Sequence, residues 1–388
     1  MSAGFEQFDG QWGENAQLAV DTLEHKPTKG IPNMSMNVMD WGLLEEVSGH
    51  APGEYQEKPD EVYRDFQLAC GACKNDQWIP RNPLSMTSQG YDSDTERKPT
   101  TGAEEIVVDG MTIDSPEAVA EHIEKFVFPG LAKSADETYP NDEAVIEKLI
   151  QGEVDVQNYF GMNMLKIPYH GFKHFSSLAY GRYGYANYFM AYALFPELME
   201  KSFSLQADVA AKRNKQAATA IVRGKLPRLL RLDHDMADSR GTLVDIKSLD
   251  EIWFPHFARS IKPLLDAGIR LIWHCDGNLM QMVPRLIECG LCGFQGFQYE
   301  DGMDYERICK MTDNDGNPLT IWAGVSVTTT LPHGTKDDVK KQLKWLVNNG
   351  PKTGLMLGAS SSVAPSTNRG NVKTLIEGLK HYRENGRT

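Results

Sequence analysis

From about residue 155 the chain repeats one rhythm: a short apolar run, a polar loop, then a helical pattern with apolar positions three or four apart. The apolar runs fall at 162–168, 229–233, 271–274, 293–299, 319–325 and 354–359. Helical patterns lie between them, at 197–220, 249–267, 278–289, 336–348 and 371–382. Repeated strand–helix units of this size predict a parallel sheet with right-handed crossovers. These six strands, with one or two upstream, suffice for an α/β (β/α)8 TIM barrel carrying an N-terminal extension and insertions. An open doubly wound sheet is the alternative, but no G-x-G-x-x-G follows an early strand.

The first 150 residues read differently. Residues 1–60 are polar and rich in Gly, Pro, Asn and Glu, with little periodicity beyond Trp41-Gly-Leu-Leu-Glu-Glu-Val47, which predicts an irregular N-terminal arm ahead of a barrel over 61–388. Residues 59–69 read as a capped helix and 76–80 as a first strand. An insertion occupies about 81–150, irregular over 81–102. Within it, 104–112 alternates around Asp109-Gly110, the signature of a β-hairpin. Ser115 followed by Pro116 is an N-cap with proline at the first helical position.

Composition narrows the partners. The 388 residues are 41% hydrophobic and 24% charged, as in ordinary globular enzymes, and the net charge is −13. That charge argues against nucleic acid or an anionic membrane surface as partner. The apolar runs fall far short of the about 20 residues that cross a bilayer. The first ten residues lack a basic segment and an apolar segment, so the expectation is a cytoplasmic protein without a secretory signal. Cys70-Gly-Ala-Cys73 and Cys289-Gly-Leu-Cys292 have the spacing of zinc knuckles. Each ends an apolar helical run, where small buried thiols are the commoner explanation.

Polar residues gather where the strands end. The 229–233 run delivers Asp233, His234 and Asp235, and 271–274 delivers His274, Cys275 and Asp276 ahead of Gly277. The next runs deliver Gln298, Tyr299 and Glu300, then Ser326, then Ser360 to Ser362. In a barrel all of these face one mouth, where catalytic groups sit. Asp233, His234 and Asp235 could equally cap the loop and helix that follow, and Glu300 could belong to a polar turn. Lys166-Ile-Pro-Tyr-His-Gly-Phe-Lys-His174 follows a strand with aromatic and basic groups, Tyr169 and His170 among them. The stretch Tyr180-Gly-Arg-Tyr-Gly-Tyr-Ala-Asn-Tyr-Phe189 is either the wall of a pocket for an aromatic ligand or a packing seam.

Taken together, these segments resemble the uroporphyrinogen decarboxylase superfamily of (β/α)8 barrels over about residues 155–385. The resemblance rests on Asp233-His-Asp-Met-Ala-Asp-Ser-Arg-Gly-Thr-Leu243, Trp253-Phe-Pro-His256 and His274-Cys-Asp-Gly-Asn278. Gly324-Val325, His333-Gly-Thr-Lys-Asp-Asp-Val339 and a Gly358 loop leading to Asn371-Val-Lys373 follow in order. The superfamily holds porphyrinogen decarboxylases and methyltransferases that work with corrinoid proteins. The decarboxylases carry an Arg-x-x-Gly-Arg pattern near the N-terminus, which this chain lacks, and the acidic charge suits an octa-anionic porphyrinogen poorly. The chain is more similar to the methyltransferase branch.

In that branch, thiol-activating members bind zinc through His-x-Cys and a later Cys. Here His274 matches, but Asp276 stands where the first cysteine would be, and Ser361 or a neighbour where the later one would be. The resemblance then implies transfer of a methyl group from a small methylated substrate, foremost a methoxylated aromatic, to cobalamin on a partner corrinoid protein. Zinc held by His274, Asp276 and Glu300 would stabilise the departing oxygen. Asp235, His234 or Asp233 would supply acid chemistry. Tyr169, His170, Tyr180, Tyr183 and Trp78 would bind a flat substrate, and the N-terminal arm offers a surface for homodimer contacts. A decarboxylase of a uroporphyrinogen-like tetrapyrrole, or a non-enzymatic corrinoid- or tetrapyrrole-binding barrel, are the alternatives.

Overall fold

Apolar runs fold into strands exactly as long as their backbone partners allow, and the partners here are parallel neighbours. A computed structural model describes residues 11–81 and 106–388. In chain order the strands are β1 (Lys74–Asn75), β2 (Val107–Val108), β3 (Met111–Thr112), β4 (Leu165–Lys166), β5 (Leu229–Asp233), β6 (Ala237–Asp238) and β7 (Gly241–Thr242). They continue with β8 (Arg270–His274), β9 (Gly293–Gln295), β10 (Thr320–Val325) and β11 (Leu355–Ala359).

Five of these form one parallel sheet in the order β11-β10-β9-β8-β5. All of β10 and β11 is buried, the mark of strands covered on both faces. The wall continues past β11 through Asn33 and Met34. Met34 N–H donates to Leu357 O at 2.9 Å, and Cys73 N–H donates to Asn33 O at 2.8 Å. β1 then pairs with β4, Lys74 opposite Leu165. Eight parallel segments thus stand side by side, but among the described residues no backbone pairing joins β4 to β5. The fold is mixed α/β with a parallel sheet, and the ladder expected to close as a barrel stays open at that junction. Side chains cross it instead. Lys173 Nζ lies 2.6 Å from Asp233, and the Tyr169 hydroxyl donates to the same carboxylate.

Helices cover the wall. In helix Phe254–Asp266 the buried positions Phe254, Phe257, Ile261 and Leu264 form one apolar stripe. Trp253, fully buried, stacks on Phe257 at 4.7 Å and meets Trp273 of β8 edge-on at 6.2 Å. Burying such a side chain contributes roughly 2–3 kcal/mol. No helix among the described residues is long and apolar enough to cross a membrane.

Most expected elements form, several with altered limits. β5 and helix Pro59–Ala69 match their expected spans, the latter with its proline in the first turn. Ser115 Oγ accepts the Ala118 N–H, and β2 and β3 pair around Asp109 and Gly110, both at positive φ as the turn requires. The strand expected at 76–80 is β1 instead, because Trp78 leaves the wall to pack among Tyr63, Tyr159 and Phe160. The helix expected at 249–267 breaks into Ile246–Ile252 and Phe254–Asp266, where Pro255 lacks the N–H to continue it. β9 stops at Gln295, since Gly296 takes a φ of +84°.

Residues 1–60, read as an irregular arm, contain helices Glu14–Leu23 and Trp41–Ser48 besides the Asn33–Met34 bridges. The described part of the 81–150 insertion is the β2–β3 hairpin followed mainly by helices, and the irregular stretch expected at 81–102 lies almost wholly outside the described residues.

Candidate functional site

Parallel strands carry their C-terminal residues to a common edge, and the register of β5, β8 and β9 sets Asp233 beside His274 and His274 beside Gln295. His274 is held by a glycine. A Cβ on Gly296 would come within 2.3 Å of the ring's Nδ1, so only glycine lets the imidazole lie there. That Nδ1 is buried without a hydrogen-bond partner. Burial, aided by the nearby Arg231 charge, pushes the ring's pKa down to about 3, so the imidazole is neutral.

Asp276 follows two residues on. Ser361 Oγ donates to its Oδ2 at 3.0 Å, while its Oδ1 is buried without a partner. Its backbone N–H donates to Asp235 Oδ1 at 3.2 Å. Burial first, and the Asp235 charge second, lift the carboxyl to about 6. One ligand-capable atom from each of Asp235, His274 and Asp276 lies within 4.8 Å of the others. Gly277, at φ +87°, lets the loop press against the β6–β7 hairpin, where Asn278 N–H donates to Asp238 O at 2.8 Å. Cys275 points away. Its Sγ accepts the Met236 N–H at 3.3 Å, and burial pushes the thiol up to about 12.

The expected ligand Glu300 does not join this cluster. It sits in the 3-10 turn Tyr299–Asp301 beyond the broken end of β9, and its Oε1 accepts the hydroxyls of Ser326, at 2.8 Å, and Thr328. Asp235 takes the third position instead.

Of the expected acid groups, Asp235 is exposed at the mouth. His234 Nε2 accepts the Leu178 N–H at 3.0 Å and the ring stacks on Tyr180 at 5.7 Å. Burial lowers its pKa to about 4, so it is a neutral acceptor rather than a proton carrier. Asp233 turns inward to Lys173, Tyr169 and Arg231, and burial raises its pKa to about 7.

The expected aromatic residues part company. The Tyr180 hydroxyl donates to Asp235 O at 2.8 Å beside the cluster. Tyr169 is buried in the wall beneath Lys173, whose Nζ lies 3.7 Å from the ring centre. Tyr183 is a packing residue, buried against Tyr188 and hydrogen-bonded to His122 at 3.0 Å. Trp78 and His170 line a separate cleft of about 760 Å³.

The sequence reading passed over the interior charges. Asp76 lies 2.6 Å from Arg231 Nε and 2.9 Å from Lys74 Nζ, all three nearly inaccessible to solvent. Burial opposes ionisation of Asp76, but the two cations hold it well below the usual carboxylate range. Lys74 Nζ also sits 3.4 Å over the Trp322 ring. Lys166 pairs with Glu153 at 2.6 Å. Lys74, Asp76 and Arg231 line a cavity of about 70 Å³ together with His274, Trp322 and Ser361 among others. The available signal was a single charge in the middle of an apolar strand, as in Leu229-Leu-Arg-Leu-Asp233.

No family model matches the chain, and no curated protein matches it. Among solved structures it is similar to a methyltransferase from Methanosarcina mazei, with 14% identity and a TM-score of 0.55 over 95% of this chain and 98% of that one. At that identity the likeness is one of fold, and that fold is TIM-barrel-like. A B12-independent methionine synthase from Shewanella sp. W3-18-1 aligns at 12% identity over 61% of this chain and 67% of its own, with a TM-score of 0.32.

Proposed function

We propose that this chain is a methyltransferase that takes a methyl group from a small methylated substrate, foremost a methoxylated aromatic, and passes it to cobalamin on a separate corrinoid protein. On this reading the eight parallel segments are a (β/α)8 barrel with an N-terminal extension. The observation that carries the reading is the Asp235–His274–Asp276 cluster at the strand ends, with Nδ1 and Oδ1 of the last two buried and unpartnered.

A buried acceptor left unpaired costs about 1–3 kcal/mol, so such a pair calls for a cation or a donor. One nitrogen and two carboxylates also fit the three-ligand pattern of catalytic zinc sites, which leave a position open for substrate. Asp235, His274 and Asp276 would hold the ion, and when bound it supplies Lewis-acid polarisation of an ether oxygen.

The chain's own residues do the rest. When the methyl group leaves an aryl ether, the C–O electron pair stays on oxygen, so the site must receive a phenolate. Ser361 fixes the orientation of Asp276, and Gly296 fixes that of the His274 ring. Asp235 is the exposed member of the set, at the mouth. Tyr180 offers a ring beside it. Oxygen donors in place of thiolates favour an oxygen-bound methyl donor over a thiol.

The test mixes the protein with reduced corrinoid protein and methoxylated aromatics and follows the absorbance of the methylated corrinoid. Transfer from an aryl ether is the expected result. Absence of transfer from every ether, amine and thiol donor would overturn the proposal, and loss of CO₂ from uroporphyrinogen would replace it with decarboxylation.

A further inference from the structure

We infer that the substrate carries a carboxylate, which Arg231 and the Trp322 indole anchor in the cavity beneath His274. The inference rests on the methyltransferase reading for the identity of the substrate, but its evidence is separate.

Arg231 is 5% exposed and lines the cavity. Its Nε is taken by Asp76 at 2.6 Å, and its Nη1 reaches Gln295 and Asp233 only at 3.3 and 3.4 Å. Its Nη2 makes no hydrogen bond among the described residues. Trp322, 1% exposed, lines the same cavity, and its Nε1–H is buried without an acceptor. A buried indole N–H without an acceptor and a buried guanidinium lining one cavity favour an acceptor ligand.

The charge balance agrees. The interior network holds four cations (Lys74, Lys166, Lys173, Arg231) and three carboxylates (Asp76, Glu153, Asp233). Lys166 is matched by Glu153 and Lys173 by Asp233, whereas Lys74 and Arg231 share the one carboxylate of Asp76, and an anion in the cavity completes the pairing.

A cavity of about 70 Å³ has room for a carboxylate, since one water needs roughly 10–15 Å³. His274 belongs to both the cavity lining and the Asp235–Asp276 cluster, so a substrate anchored below presents its far end to that cluster. The flat guanidinium edge matches a planar carboxylate.

Calorimetric titration of the full chain with 4-methoxybenzoate, its neutral isostere 4-methoxybenzamide, acetate and inorganic phosphate tests this. We expect the acid to bind at least about tenfold tighter than the amide, the value of one charge-assisted hydrogen bond. Arg231→Gln should abolish that preference while circular dichroism stays unchanged; should that variant not fold, the wild-type acid–amide ratio decides alone. Equal affinity for acid and amide, or binding of neither, overturns the inference, as does phosphate binding more tightly than either carboxylate. Methyl transfer is scored separately. Acid preference without transfer sinks the enzyme reading and leaves the anchor, whereas equal transfer from acid and amide does the reverse.

Discussion

Asp76 and Arg231 are 155 residues apart in sequence and 2.6 Å apart in the fold. Their ion pair runs from the end of β1 to the middle of β5, spanning the one junction of the wall where no backbone pairing is found among the described residues. Backbone hydrogen bonds hold the other strands together; here buried charge does that job.

Removing one partner of such a pair strands the other. Asp76→Ala leaves Arg231 and Lys74 without their shared carboxylate and should cost about 3–5 kcal/mol. Urea unfolding of the variant against the parent measures it, and a loss below about 1 kcal/mol would mean that the pair does not brace the wall.

Gly296→Ala should act on the site more than on the fold. The added methyl meets the His274 ring at 2.3 Å, so the imidazole must turn or the loop must shift. Displacements of this order cost about a hundredfold in turnover. The expected result is a fall in kcat at saturating methyl donor, with the melting temperature lower by only a few degrees; unchanged kcat would remove His274 from the reaction.

Metal retention separates the neighbours Cys275 and Asp276. Protein purified without chelators should hold zinc, and Asp276→Asn should lose it. Ser361→Ala, which frees one Asp276 oxygen, should weaken zinc binding by about tenfold or more. Cys275→Ala should keep zinc and cost about 1–2 kcal/mol through the orphaned Met236 N–H. Elemental analysis of the variants decides, and zinc lost only from the cysteine variant contradicts the assignment.

His50 makes one region sensitive to pH. Its Nε2 meets Asp65 at 3.0 Å and its Nδ1 meets Glu54 at 2.8 Å, bringing the end of helix Trp41–Ser48 to helix Pro59–Ala69. The Asp65 hydrogen bond leads in raising its pKa above the ordinary value of 6.5. A group protonated more readily when folded stabilises fully below its unfolded pKa, and the gain vanishes as pH rises through the folded one. Between about pH 6 and pH 9 the melting temperature should therefore drop about 2 °C more in the parent than in His50→Gln. Parallel curves for the two proteins would contradict it.

Local signals were legible in the sequence because one short segment suffices to satisfy them. Pro59 and Pro116 mark helix starts, Asp109-Gly110 marks a hairpin turn, and the apolar run Leu229–Asp233 marks a strand. His274 and Asp276 were legible for the same reason, both lying at one strand end. Asp235 displaced Glu300 because the choice depends on where β9 stops, and a single positive φ at Gly296 moves that point. Asp76 and Arg231 each look like an isolated charge until register brings them together. Helix Glu14–Leu23 went unread because half of its buried stripe, Ala16 and Ala19 beside Val20 and Leu23, is alanine and contrasts weakly with its polar face.

The bridges at Asn33 and Met34 bear on where this chain can be shortened. Those residues pair with Leu357 on one side and Lys74 on the other, and Met39 N–H donates to Val363 O at 2.9 Å. A chain starting at residue 61 would lose a stave of the wall rather than an appendage. It would lay open two strand edges, with Leu357 and Lys74 offering unpaired backbone to solvent. Bare edges of that kind recruit strands from other molecules, so trimming for solubility would yield aggregates.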